Sequence, residues 1–343
     1  MGITLKTHKM LWGRSGNMCA FPECKKILVV DETFTDDPSI IGEEAHIVAE
    51  KENGPRGNSP LTLEQRNKYD NLILLCSVDH KTVDDQPIEY TVEKLHQFKD
   101  EHEKWVRDNL NIDNKKIKDD ELYATYIEKF IELTDLHNWT NWTSWLLGSS
   151  QLFPKEHFDL LKNLPNYIVS RIWPNRYKPL ESAFINFKNV LNDLYSVFYI
   201  HIEERADGYT IEKFYKKYYS DNFRQPDDYS FKKEQQALNS YNYHGALICD
   251  LVLELTRAAN YICDQIRTYI FEGFRIKEGA LLVMSADILG YDTYRVEYRG
   301  DQRIEVPYKG LKDFMESRQL RDLHFGTGVD MSYFNNIRDL SVL

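Results

Sequence analysis

Over the first ninety positions, short β-branched apolar runs alternate with turn residues. ILVVDETF at 27–34 and AHIVA at 45–49 have strand composition, and NLILLC at 71–76 is a further apolar strand. Between them NGPRGNSP, rich in Gly, Pro and Asn, reads as a loop, and the whole connection is long enough to predict a functional one. From 91 the period becomes helical. Thr91 can cap a helix with Leu95, Phe98 and Trp105 near one face and charged residues on the rest, with His102 as a packing residue. The polar run NIDNKKIKDD at 111–120 is the predicted linker. Beyond it, Phe184, Phe187, Leu191, Leu194 and Phe198 form the stripe of a buried helix face, and Leu251, Leu255, Ala258, Ile262, Ile266 and Tyr269 form a longer one. Trp139, Trp142 and Trp145 at three-residue spacing belong to a core or, alternatively, a base-stacking surface. ALLVMSADI at 280–288, TYRVEYR at 293–299 and RIEVPY at 303–308 predict a small antiparallel sheet. The pattern as a whole predicts an α+β chain with a first domain over 1–112 and a mainly α-helical second domain over 113–343.

Composition narrows the class. The 343 residues suffice for two cores. No apolar run reaches the length of a membrane span and the N-terminus is polar, so we expect no signal peptide and no membrane partner. Five cysteines, an odd number, argue against a disulfide framework and for a cytoplasmic location. A net charge of -11 is a poor match to a general nucleic-acid binder, so any such contact must come from local cations, bound metal or a homo-oligomer. Lys51, Arg56, Arg66, Lys68 and Lys81 flank the densest chemistry and are the candidate phosphate contacts.

That chemistry is the ordered set His46, Asn71 and His80. A neutral imidazole can take a proton from water at physiological pH, an amide can orient that ring, and a second imidazole can hold a divalent cation. AHI at 45–47, NLILLC at 71–76 and the His80 that follows resemble the HNH endonuclease family over about the first third of the chain. The resemblance implies a ββα-metal fold that hydrolyses phosphodiesters, mostly in DNA. His46 is then the general base, Asn71 its orienter, and His80 a ligand of a catalytic Mg2+ or Mn2+. Ala45 departs from the pattern, because many members carry a metal-binding Asp or His there. Strand alternation gives Glu44 the same face as His46, and Asp84 lies one helical turn after His80, so either is a candidate second ligand, or both are solvated acids. Glu43 would point to the opposite face.

Cys19 and Cys24 bracket a turn, and Cys76 precedes the predicted helix. With Asp79, at the position where zinc-bearing HNH nucleases often carry Cys or His, they are candidate ligands of a structural Zn2+, although three free thiols are the other reading. Cys249 and Cys263 sit in an apolar helical run and fit the free-thiol reading. GPR after AHI, then LLC, then a His followed by Asp84, looks most like HNH effectors of bacterial anti-phage systems. There the partner domain, here 113–343, would sense infection, regulate the nuclease, or bind a partner defence protein. The alternative is an inactive zinc-stabilised module that only grips nucleic acid or protein.

Overall fold

A computed structural model describes residues 2–30, 39–109, 113–218, 228–287, 290–303 and 306–333. The fold is α+β and mainly helical, with small antiparallel sheets, one of them near the C-terminus. Two compact units divide the chain, Met1–Lys129 and Phe130–Leu343.

In the first unit, helix α1 (Leu5–Arg14) starts where Thr4 accepts a hydrogen bond from the Thr7 N–H. It buries Leu11 and Trp12. Strands β1 (Val29–Val30) and β2 (Ser39–Ile40) pair briefly; positions 31–34 of the expected strand lie outside the described residues. The central hairpin joins β3 (Gly42–His46) to β4 (Leu72–Cys76), antiparallel, with Glu43 opposite Leu75 and His46 opposite Leu72. The first strand therefore ends at His46, whereas its composition extended it to 49. Residues Leu72 to Leu75 are fully buried, which explains why β4 reads as an unbroken apolar run. Around them Leu11, Leu28, Ile47, Val83 and Leu95 close one core, each such side chain contributing about 1.5–3 kcal/mol by leaving water.

The 47–71 connection is built on three polar side chains, two of them satisfied by its own backbone and the third, Arg56, reaching from Ile47 to Val83 as well. It contains one short α-helix, α2 (Leu63–Arg66), opened by a capping box between Thr62 and Gln65, and a 3-10 turn at Tyr69–Asn71. Arg66, 3% exposed, donates to the carbonyls of Ala49, Gly57, Ser59 and Leu61. Arg56 donates to the carbonyls of Ile47 and Val83. Asn71 accepts from the Val48 N–H and donates to the carbonyls of Val48 and Arg66. Helix α3 (Ser77–Asp85) follows β4 without a linker, and α4 (Val92–Asn109) packs His102 and Val106 inward. The expected linker is helical from 114: α5 (Asn114–Thr134) includes it, with Lys116 paired to Asp120 one turn away at 2.7 Å, and 111–112 lie outside the described residues.

The second unit contains α6 (Trp139–Leu147), a sheet in which β7 (Gly208–Ile211) lies between β5 (Phe153–Pro154) and β6 (Ile202–Glu204), and helices α7 (Lys155–Lys162), α8 (Leu164–Val169) and α9 (Lys178–Tyr199). The long helix α10 (Asp228–Tyr269) packs on α9, and the expected stripes of both are buried except at Tyr269, which is half-buried. Trp139 and Trp142 are core, whereas Trp145 is 54% exposed. Strands β8 (Leu282–Asp287) and β9 (Gly290–Arg295) form an antiparallel hairpin near the C-terminus, so the second strand lies earlier than its expected 293–299, the described residues of 303–308 form no strand, and α11 (Leu311–Ser317) follows. Positions 288 and 304–305 of the expected strands lie outside the described residues. One feature of α10 is absent from its apolar pattern: Asp250, Glu254, Arg257 and Asn260 are all buried on it. Asp250 holds Arg318 and the N–H groups of Phe325 and Gly326, and Asn260 holds the carbonyls of Leu281 and Val296. Among the described residues no helix is long and apolar enough to cross a membrane.

Candidate active site and metal centre

The hairpin and α3 place the sequence-predicted residues in three groups. His46, the last residue of β3, is half-buried, and its Nε2 lies 2.8 Å from Oδ1 of Asn67. The Asn67 amide also donates to Oε1 of Glu50 and to the Leu63 carbonyl, both at 3.4 Å. Ring contact thus belongs to Asn67. Asn71, expected to orient His46, instead has every amide bond on backbone, because it sits beneath the loop where β4 begins and three main-chain groups there need partners.

His80, on α3, forms the second group. Its Nδ1 lies 2.5 Å from Oε2 of Glu43 and its Nε2 3.4 Å from Oδ2 of Asp84. Glu44 is elsewhere: its carboxylate accepts from Trp12 Nε1 at 3.0 Å and pairs with His8 of α1. The strand alternation behind the choice of Glu44 is sound, since Glu44 does share the Gly42 and His46 face. That face is covered by α1, so closely that a Cβ on Gly42 would lie 2.7 Å from Trp12, while α3 delivers His80 to the Glu43 side. Asp84 is held by Arg56 at 2.7 Å, so it braces the imidazole. Glu43 and His80 remain partly open to solvent, at 49% and 27%.

The third group is Cys19, Cys24, Cys76 and Asp79. One ligand atom from each lies within 4.8 Å of the others, and the four could hold a metal ion such as zinc. The geometry follows from local structure. Cys19 and Cys24 flank a tight turn closed by the Met18–Ile27 bridge, with Lys25 in the left-handed region. Cys76 caps α3 and Asp79 is its third residue, so both point back across the helix start. Oδ2 of Asp79 accepts from Cys19 at 3.2 Å and Cys76 at 3.0 Å. Burial raises Asp79, but hydrogen bonds from Cys76, Cys24 and Cys19 outweigh it and hold the carboxyl below its ordinary range. Burial, together with the Asp79 carboxylate, pushes the Cys24 thiol up. Four convergent donors of which three are sulfur, Cys19 and Cys76 being buried, suit a closed tetrahedral site.

Of the cations expected to meet phosphate, the side chains of Arg56 and Arg66 are buried, Arg66 bonded to backbone carbonyls and Arg56 to carbonyls and the Asp84 carboxylate. Lys68 is paired with Glu64 and Lys81 with Asp85, both on the surface, and Lys51 is exposed. Sequence reasoning missed Asn67, Glu43 and Glu50. None carries a spacing signal, and each acquires its role from the face it ends up on.

No family model and no curated protein matches the chain.

Proposed function

We propose that the first unit is a metal-dependent endonuclease of HNH type that hydrolyses phosphodiester bonds, with DNA as the expected substrate. The observation that carries this reading is the Glu43–His80 pair at 2.5 Å, a carboxylate and an imidazole brought together by the strand and helix of one hairpin-helix element, with His46 at the end of the same strand.

Glu43 and His80 would hold Mg2+ or Mn2+, leaving the remaining positions to water and phosphate oxygens, as Mg2+ prefers. When bound, such an ion stabilises charge developing on the scissile phosphate. Asp84 would serve as the outer carboxylate that fixes the His80 ring through Nε2–H, itself anchored by Arg56. His46 would take the proton of the attacking water. Cys19, Cys24, Cys76 and Asp79 would hold a structural Zn2+ and tie the turn at 19–24 to α3. We assign the second unit a sensing or assembly role in an anti-phage effector, the context that the GPR, LLC and His–Asp84 residues suggest.

Titration with Mn2+ followed by plasmid cleavage tests the reading. Glu43→Gln should weaken Mn2+ binding about 10–100-fold and lose cleavage. Glu44→Gln should keep both within a factor of about three. Equal effects of the two substitutions, or cleavage that survives Glu43→Gln, would reject the assignment. Cation binding without cleavage would favour the nucleic-acid-gripping module that Ala45 suggests.

A further inference from the structure

Asn67 ends α2 and is 6% exposed, so each of its polar atoms needs a partner inside the protein. A primary amide offers two donors on nitrogen and an acceptor on oxygen. Around this one, the Glu50 carboxylate and the Leu63 carbonyl lie at Nδ2, and both can only accept. Turning the amide over would set its oxygen against those two oxygens and its N–H groups against the ring. Oδ1 therefore faces His46. An oxygen at 2.8 Å from Nε2 requires an N–H there, and a neutral imidazole with a proton on Nε2 has its lone pair on Nδ1.

We infer that Asn67, held by Glu50, is the positioning residue of His46: it fixes the Nε2–H tautomer and leaves Nδ1 as the atom that accepts a proton. The catalytic consequence rests on the nuclease reading, whereas the tautomer does not. Water approaching His46 is deprotonated only if it meets Nδ1, so a ring free to flip would be a productive base for part of the time. Asn71 plays no part in this selection, because its amide is bonded to Val48 and Arg66.

The experiment is long-range proton–nitrogen correlation NMR on the full chain labelled with 15N-histidine, the His46 signals being assigned by their loss in His46→Gln. The wild type should show His46 with Nε2 protonated. Asn67→Asp, which keeps an acceptor at that place, should retain the tautomer, and Asn67→Leu should mix the two forms. Glu50→Ala should mix them in part, and it leaves the buried amide in place should Asn67→Leu fail to fold. In cleavage, Asn67→Leu should lower kcat about 10–100-fold at unchanged KM, with Asn67→Asp recovering most of the loss. A wild-type ring protonated on Nδ1, or a tautomer indifferent to Glu50→Ala and to a folded Asn67→Leu, overturns the inference. An Nε2–H ring in a protein that cleaves nothing would sink the nuclease reading and leave this one standing.

Discussion

Both units bury arginines, and they do so to different ends. In the first, Arg66 directs its donors at carbonyls of the 47–71 connection and Arg56 reaches the carbonyls of Ile47 and Val83 and the Asp84 carboxylate, while Glu43 and His80 keep access to solvent. In the second, Arg257 and Arg318 turn to Glu254, Asp250 and Asp322, and the charges neutralise one another inside the unit. The same residue type ties a loop to a strand and a helix in one place and closes a charge network in the other. Buried polarity is therefore a poor guide to function by itself. What sets Glu43 and His80 apart is exposure: their side chains are 49% and 27% accessible, against 30% and 16% for the Asp135–His157 pair of the second unit.

Substitutions should separate the two regions cleanly. His46→Ala should reduce cleavage about 10²–10⁴-fold, the usual contribution of a general base, with the thermal midpoint lowered only by the loss of Asn67's ring partner, read by gel assay and calorimetry on one preparation. A large drop in midpoint would make His46 structural and erase the contrast. In the second unit, Glu254→Ala leaves Arg257 and Arg321 without their shared carboxylate and should cost about 3–5 kcal/mol in urea unfolding. Less than about 1 kcal/mol would mean that the ladder on α10 is not holding the C-terminal segment.

The thiol cluster sharpens the comparison within the first unit. Closed and sulfur-rich, it should retain one zinc per chain through brief exposure to a chelator that strips the Glu43–His80 site at once, and Cys76→Ser should lower zinc content to well under half, measured by elemental analysis. A wild-type preparation free of zinc would return the cysteines to the reading of free thiols.

The smallest effect concerns acid. Burial, with His201 beside it, pulls His244 down to about 3. An unfolded histidine takes its proton near ~6.5, so between that pH and about 3 the unfolded chain binds more protons than the folded one. Stability of the second unit therefore falls as pH falls through this window, by up to about 1.4 kcal/mol per pH unit. His244→Gln should flatten the slope of thermal midpoint against pH from 6.5 to 5, and an unchanged slope would assign the acid sensitivity elsewhere.

Much of this architecture is legible from apolar spacing. Strand β4 and the stripes of α9 and α10 are where the pattern places them, because periodicity reports which side meets a core. Motif spacing likewise brought Cys19, Cys24, Cys76 and Asp79 together. The failures share one cause. The alternation that makes Glu44 a candidate ligand beside Asp84 is correct, but which face receives α3 is a tertiary fact. Asn67 and Glu50 matter only because α2 folds back over the strand end. The polar stretch at 114–120 looked like a linker because a helix surfaced with Lys–Asp pairs has the composition of a loop, and the buried ladder on α10 was invisible to a count of apolar residues alone.

The central claim is tested most directly by incubating purified protein with supercoiled plasmid and Mg2+ or Mn2+, alongside His46→Ala and a chelated sample. Nicking or linearisation by the wild type, lost in both controls, is the predicted result. Cleavage that persists in His46→Ala, or no cleavage of DNA or RNA with either cation, would contradict it.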